Sequence, residues 1–201
     1  MTTWPGTRGP RGTGRPARHA QLRVVLCAVA ALMLVPRVMP TQASPPKEYQ
    51  LKAVFLFNFA QFVEWPATAL RDPRAPLVIC ILGEDPFGSY LDETVRGETV
   101  NNHPLTVQRY GRVEEITTCH ILFVSRSEDG RLGRILPALK GRGILTVGDA
   151  ERFATRGGMI RFVTEQNRIR LRINLAAAEA DSLKISSKLL RPAEIVSPGQ
   201  E

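Results

Sequence analysis

The sequence lacks the motifs on which most recognisable catalytic sites depend. It contains no Gly-x-Ser-x-Gly and no His-Glu-x-x-His, which excludes the usual signatures of serine hydrolases and zinc proteases. Two stretches, Gly83–Gly88 and Gly143–Gly148, have the glycine spacing of a phosphate-binding loop, but Ser89 and Asp149 stand where the lysine is needed. A carboxylate at that position repels phosphate. We therefore expect a protein that is not an enzyme and that binds no cofactor.

Acidic residues are absent from the first 43 positions, which hold six arginines. These are Arg8, Arg11, Arg15, Arg18, Arg23 and Arg37. Without that segment, 21 of the 27 basic side chains remain against 19 acidic ones, so the formal net charge falls from +8 to +2. A body this close to neutral has no overall field that attracts a phosphate backbone. We expect no nucleic-acid partner.

No apolar run in the sequence is long enough to cross a bilayer. The run Val24–Val35 would span about 18 Å as a helix, against a hydrocarbon layer of about 30 Å. It follows the arginine-rich segment and precedes the small-residue site Thr41-Gln42-Ala43, which is the order of elements in a secretory signal. We predict a cleavable signal peptide over residues 1–43 and a mature chain that is exported and soluble, with an uncleaved anchor as the alternative.

Cysteine and histidine are scarce, at three residues each. Signal cleavage would remove Cys27 and leave Cys80 and Cys119, and an even pair in an exported chain favours a disulfide. Two buried free thiols are the alternative. With His103 and His120 the pair could also supply the ligands of a zinc site, but the short paired spacing typical of such sites is missing. We expect no metal.

Residues 48–64 have the clearest helical pattern in the mature chain. Apolar side chains recur there at spacings of three and four, at Leu51, Val54, Phe55, Phe59, Phe62 and Val63. This periodicity predicts an amphipathic helix, which Pro66 stops. Its aromatic side is expected either to pack in the core or to form part of a partner surface.

Strand patterns alternate with helical ones along the rest of the chain. The apolar run 77–82 predicts a strand buried on both faces, and the alternating segment 168–173 predicts a strand with one wet face. Further strands are predicted at 105–107, 121–124, 144–147 and 159–163, with a short helix after Asp85-Pro86 and helices at 131–139, 150–154 and 175–190. For the last of these, a break at Ser186-Ser187 is the alternative to one continuous helix. This order predicts an α/β fold: a single domain over 48–192, with a mixed, mostly parallel sheet flanked by helices and a closing β-hairpin. Residues 44–47 are expected to be a flexible leader and 193–201 a C-terminal tail.

Four stretches of the mature chain resemble the YfiR family of periplasmic regulators. They are Lys52–Phe59 with Phe62–Pro66, Ile81–Gly88, Gly157–Ile160 with Arg170–Asn174, and Ile185–Leu190. Cys80 and Cys119 also lie where such proteins have one of their disulfides. The chain departs from the best-known member because no cysteine follows Cys119 to form a second disulfide.

The resemblance implies a periplasmic protein that binds the periplasmic domain of an inner-membrane diguanylate cyclase and represses it. Its release, by sequestration on an OmpA-like outer-membrane lipoprotein or by a redox change, would raise cyclic di-GMP and favour biofilm formation. The resemblance also implies a homodimer. Another membrane sensor, such as a histidine kinase, is the alternative partner.

We expect the partner contacts to be apolar with a polar rim. The candidate residues are Phe55, Phe59, Phe62, Trp65, Phe153, Ile160 and Phe162. Core packing is the alternative for each of them. Two further functions stay open: a small-molecule sensor or carrier that binds its ligand in a crevice at the strand ends, and a hydrolase with an unrecognised site.

Overall fold

A computed structural model describes residues 46–70, 72, 74–197 and 199. The predicted signal peptide, residues 1–43, lies outside the described residues and stays a prediction. Within the described ranges, no helix is both long enough and apolar enough to cross a bilayer.

The first helix, α1 (Lys47–Phe62), forms where the sequence predicts it. It ends two residues earlier than expected, because Val63–Glu64 forms strand β1 and pairs antiparallel with strand β9 (Lys184–Ile185). Pro66 then prevents the chain from returning to a helix. The two-stranded sheet therefore ties the end of α1 to the C-terminal part of the domain.

An eight-stranded sheet runs through the domain. Its strands are β2 (Leu77–Leu82), β3 (Thr99–Val100), β4 (His103–Tyr110), β5 (Ile121–Val124), β6 (Leu145–Gly148), β7 (Ile160–Glu165), β8 (Arg168–Ile173) and β10 (Glu194–Ile195). Their order is β10-β8-β7-β6-β5-β2-β4-β3. Strands β2, β4, β5, β6 and β7 are parallel, and β8 turns back antiparallel to β7. The predicted mixed, mostly parallel sheet with a closing hairpin is confirmed.

Short helices flank the sheet: α2 (Ser89–Val95), α3 (Leu132–Leu139), α4 (Leu175–Ala180) and α5 (Ser187–Leu190). The predicted helix over 175–190 is wrong as a single element. It breaks after α4, where Ser182 adopts a φ of +60°, and β9 intervenes before Ser186 caps α5 with its side chain. The predicted helix near 150–154 is a series of turns.

Apolar side chains fill both faces of the sheet. In β2, Ile79 and Ile81 point to the α1 side, while Val78 and Leu82 point to the α3 side, and all are buried. On the α1 side Phe59 stacks on Phe162 with ring centroids 5.8 Å apart. Each fully buried side chain of this size contributes about 1.5–3 kcal/mol to folding. The continuous apolar run 77–82 thus marks the centre of the sheet.

Phe153 occupies the space beside two glycines on the α3 side. A Cβ atom added at Gly148 would lie 2.7 Å from the Phe153 ring, and one at Gly158 would also collide with it. Only glycine leaves room for the ring at both positions. Phe153 is fully buried as a result.

The direction of the chain connections reverses at the carboxyl edge of the sheet. Strand β2 lies between β4 and β5, so the chain leaves the carboxyl ends of β2 and β5 in opposite directions, and ligands often bind at such points. Gly83 ends β2 there with a φ of +89°, and a side chain at this position would collide with Ser127 and Glu128. The loops that follow the parallel strands therefore meet closely at this edge.

Candidate partner surface and charged cleft

Helix α1 carries an exposed apolar stripe on the side that faces away from the sheet. Leu51 is 51% exposed and Val54 is 40% exposed, and Phe55 beside them is half-buried. Spacings of three and four place these residues on one face of the helix. We call Leu51 and Val54 the outer stripe; Phe55 lies at its border, with its ring centre 5.8 Å from that of Phe162 in the sheet. Large exposed apolar side chains on one face mark candidate interaction surfaces.

The predicted partner-binding residues divide into two groups. Phe59, Phe153, Ile160 and Phe162 are buried. Core packing, the alternative that the sequence left open, describes these four, since a buried side chain has no solvent-accessible surface for a partner to contact. Phe55, Phe62 and Trp65 are half-buried. Their role in partner binding stays a prediction.

Phe62 and Trp65 are both held by neighbouring groups. The Lys188 ammonium lies 5.5 Å from the centre of the Phe62 ring, and the Trp65 indole Nε1 donates a hydrogen bond to the His120 carbonyl at 3.2 Å. These contacts fix the two aromatic side chains in place. A fixed aromatic side chain loses little entropy on binding, which favours its use at an interface.

The inner side of α1 carries a charge that the sequence analysis missed. Lys52 is fully buried, and its Nζ lies 2.5 Å from Asp149 Oδ2 and 2.7 Å from Glu48 Oε1. Tyr49 donates a hydrogen bond to the same Asp149 oxygen at 2.9 Å. Arg126 Nε is 3.4 Å from the other oxygen of Asp149. The buried ammonium is thus paired with two carboxylates, as a charge in the protein interior requires.

This network shifts the pKa values of Glu48 and Tyr49. The Lys52 ammonium lowers the pKa of the Glu48 carboxyl, against the opposing effect of burial. Burial and the nearby Asp149 carboxylate raise the pKa of the Tyr49 phenol well above its usual value. Glu48 therefore contributes stability at neutral pH that is lost as the pH falls through its lowered pKa.

Two features of the sequence agree with this network of charged residues. Lys52 follows Glu48 by four residues, a spacing that brings the two side chains together on a helix, and it lies among apolar positions. Asp149 directly follows a buried parallel strand, β6, so it must lie at the carboxyl edge of the sheet. Nothing in the sequence alone shows that these two elements meet.

A charged cleft of about 460 Å³ lies at this carboxyl edge. Its walls include Glu48, Arg126, Asp149, Arg161 and Thr164. The Thr164 hydroxyl donates to Glu48 Oε1 at 2.8 Å, which joins the hairpin to α1. Both acidic and basic groups line the cleft, so it could hold a small polar molecule that carries both donors and acceptors.

The stretch with phosphate-loop spacing does not form such a loop. Leu145–Gly148 is strand β6, paired on both sides, and the Asp149 side chain is directed into the buried ion pair with Lys52. Backbone amides that are already paired in a sheet cannot cradle a phosphate. The geometry agrees with the sequence argument against a nucleotide site here.

Cys80 and Cys119 form a disulfide that joins β2 to the segment before β5. Because both sulfurs are engaged, neither thiolate can serve as a zinc ligand. His120, next to Cys119, is buried, accepts a hydrogen bond from the Val78 amide at Nδ1 over 3.0 Å, and has its pKa lowered chiefly by burial. His103 is also buried, at the start of β4, with Nδ1 2.8 Å from the Ala75 carbonyl oxygen.

Comparisons with known proteins identify the family. No curated protein matches the chain. One solved structure to which it is similar is the ABC domain in complex with L-Trp from Streptococcus pneumonia, at 10% identity and a TM-score of 0.45, over 60% of this chain and 55% of that chain. The chain thus spans little more than half of that structure, and the similarity is too low to indicate a shared function. The YfiR/HmsC-like family model matches residues 49–194, and the chain therefore belongs to this family of periplasmic regulatory proteins.

Proposed function

We propose that this protein binds the periplasmic part of an inner-membrane diguanylate cyclase and represses it, and thereby limits cyclic di-GMP and biofilm formation. The observation that carries the proposal is the family match over residues 49–194, which spans α1 through β10. A non-enzymatic role is consistent with the buried ion pairs at the carboxyl edge, where Lys52 and Asp149 neutralise each other. Groups that are paired in this way are poorly placed to act as a general acid or base.

Export is part of the same proposal. A signal peptide over residues 1–43 would deliver the domain to the periplasm, where a disulfide between Cys80 and Cys119 persists. The domain could then meet a periplasmic loop of a membrane protein without crossing a bilayer itself.

The outer stripe of α1 is the surface that we assign to the partner. It presents Leu51 and Val54 to solvent, with the exposed polar residue Gln61 and the half-buried Asn58 further along the helix. An apolar centre with a polar rim is the usual anatomy of a protein interface. We propose that a second copy of the chain and an OmpA-like outer-membrane lipoprotein are further partners of the domain.

The charged cleft favours a second candidate function, the sensing or carriage of a small molecule. The cleft lies at the carboxyl ends of parallel strands, the usual ligand position in an α/β sheet, and Arg126 and Arg161 line it together with Glu48 and Asp149. A small periplasmic ligand that raises the melting temperature of the purified domain in the absence of any protein partner would support this function.

Deleting the gene tests the proposed repression in the cell. We expect intracellular cyclic di-GMP and biofilm mass to rise in the deletion strain and to return to the original level when the wild-type gene is restored. A Cys80→Ala/Cys119→Ala variant in the same strain shows whether the disulfide is needed for repression. Cyclic di-GMP that stays unchanged on deletion would contradict control of a cyclase and would favour the small-molecule function.

A further inference from the structure

One face of the β7–β8 hairpin is rich in arginine. Arg161 on β7 and Arg168, Arg170 and Arg172 on β8 share the face that points away from α1, because alternate residues of a strand lie on the same side. The opposite face of the hairpin holds Ile160, Phe162, Leu171 and Ile173, which are buried in the core with α1.

The register of the hairpin concentrates positive charge on this face. Arg161 pairs directly with Arg172 across the strands, and Val163 pairs with Arg170. Like charges that lie directly opposite each other destabilise a sheet. On the neighbouring edge strand β10, Glu194 accepts a hydrogen bond from Arg172 Nε at 2.9 Å, which relieves part of this repulsion.

Two arginines of the face reach solvent, and Glu165 lies directly across the hairpin from one of them, Arg168. Arg168 and Arg170 are exposed, and within the described part of the chain neither forms a salt bridge. Residues 160–173 contain four arginines and a single acid, Glu165. Beyond the first 43 residues the whole chain has a formal net charge of only +2, so this positive charge is local to the hairpin.

We propose that the arginine face of the hairpin docks on the anionic phospholipid surface of a membrane through its exposed members, Arg168 and Arg170. Arginine presents a planar fork of donors that binds phosphate oxygens in pairs. Alternate residues of a strand are about 7 Å apart, so β8 holds Arg168, Arg170 and the half-buried Arg172 in a row on one face. Such a row fits a plane of lipid phosphates, whereas a small free anion needs donors that converge in a pocket.

Attachment of this kind is weak and reversible. Each basic residue close to an anionic lipid surface strengthens binding by roughly fivefold, and the attraction is screened within about 10 Å at ordinary salt concentration. The face would therefore concentrate the protein at a bilayer without anchoring it there. This inference does not depend on which membrane protein the domain regulates.

Sedimentation with lipid vesicles tests the inference without any protein partner. We expect the purified mature chain to sediment with phosphatidylcholine vesicles that contain phosphatidylglycerol, to stay in solution with vesicles of phosphatidylcholine alone, and to be released by added salt. In the variant Arg168→Gln/Arg170→Gln, binding to the anionic vesicles should fall by at least about 10-fold. Both positions are exposed, and glutamine sets no second carboxylate opposite Glu165, so the fold should be unaffected.

A matched variant separates the hairpin from overall charge. Arg74→Gln/Arg96→Gln changes the net charge by the same amount at two exposed positions outside the hairpin, and its vesicle binding should stay within about twofold of the wild type. The inference is overturned if the wild type does not bind the anionic vesicles, or if the two double variants lose binding equally. Equal binding of the wild type to a polyglutamate peptide would also overturn it, because an acidic protein segment would then be the partner.

Discussion

Replacing Lys52 with methionine is expected to lower the free energy of unfolding by about 3–5 kcal/mol. Methionine keeps an unbranched, largely apolar side chain at this position but removes the ammonium that lies 2.5 Å from Asp149 Oδ2. The Asp149 side chain is fully buried, so its carboxylate would lose its closest cation and stay without water. Chemical denaturation at neutral pH, compared with the wild type, measures the loss.

Two further variants isolate the ion pair. Lys47→Met removes an exposed lysine from the first turn of the same helix and should change stability by no more than about 0.5 kcal/mol. Lys52→Met/Asp149→Leu removes both charges and should be more stable than Lys52→Met alone, since an apolar pair replaces a buried carboxylate that has lost its closest cation and keeps only Arg126 at 3.4 Å. A Lys52→Met protein as stable as the wild type would show that the buried pair is not needed to hold α1.

Removing the disulfide is expected to cost about 2–4 kcal/mol of stability. The bond closes a loop with a sequence separation of 39 between Cys80 and Cys119, and without it the unfolded chain gains conformational freedom. Cys80→Ala/Cys119→Ala is the suitable variant because both cysteines lie in an apolar cluster on the α3 side, where serine would add a buried hydroxyl. Urea denaturation of the variant and of the wild type measures the difference.

A reducing agent provides the internal control for the disulfide. Added reductant should bring the unfolding midpoint of the wild type close to that of the Cys80→Ala/Cys119→Ala variant and should leave the variant itself unchanged. If the wild type unfolds at the same urea concentration with and without reductant, and the variant is as stable as the wild type, the disulfide has no structural role.

The fold class was predictable because the relevant signals are local. The apolar run 77–82 could only be a strand buried on both faces, and the alternating residues 168–173 fixed which side of β8 meets the core. The predicted elements were wrong where strand pairing with a distant segment overrides the local helical pattern. Residues 175–190 have helical composition, yet Lys184–Ile185 pairs with β1 and divides the segment.

The site was less predictable because burial is a property of the assembled layers. Phe55 and Phe59 are both phenylalanines of the same helix, and the ring centres of both lie 5.8 Å from that of Phe162, yet Phe59 is fully buried and Phe55 only half-buried. Leu51 and Val54 belong to the apolar pattern and yet point to solvent. The Lys52–Asp149 pair joins residues 97 positions apart, and no local pattern reports a contact of that range.

The central claim, that the outer stripe of α1 mediates repression of a membrane cyclase, is tested most directly by cyclase activity. The assay uses membranes that contain the diguanylate cyclase whose deletion cancels the rise in cyclic di-GMP. We predict that the purified mature chain lowers cyclic di-GMP synthesis and that Leu51→Asp/Val54→Asp requires at least about a 10-fold higher concentration for the same effect. Ile195→Asp, at a residue as exposed as Leu51, should act like the wild type. Unchanged cyclase activity with the wild-type protein, or full repression by the double variant, would contradict the claim.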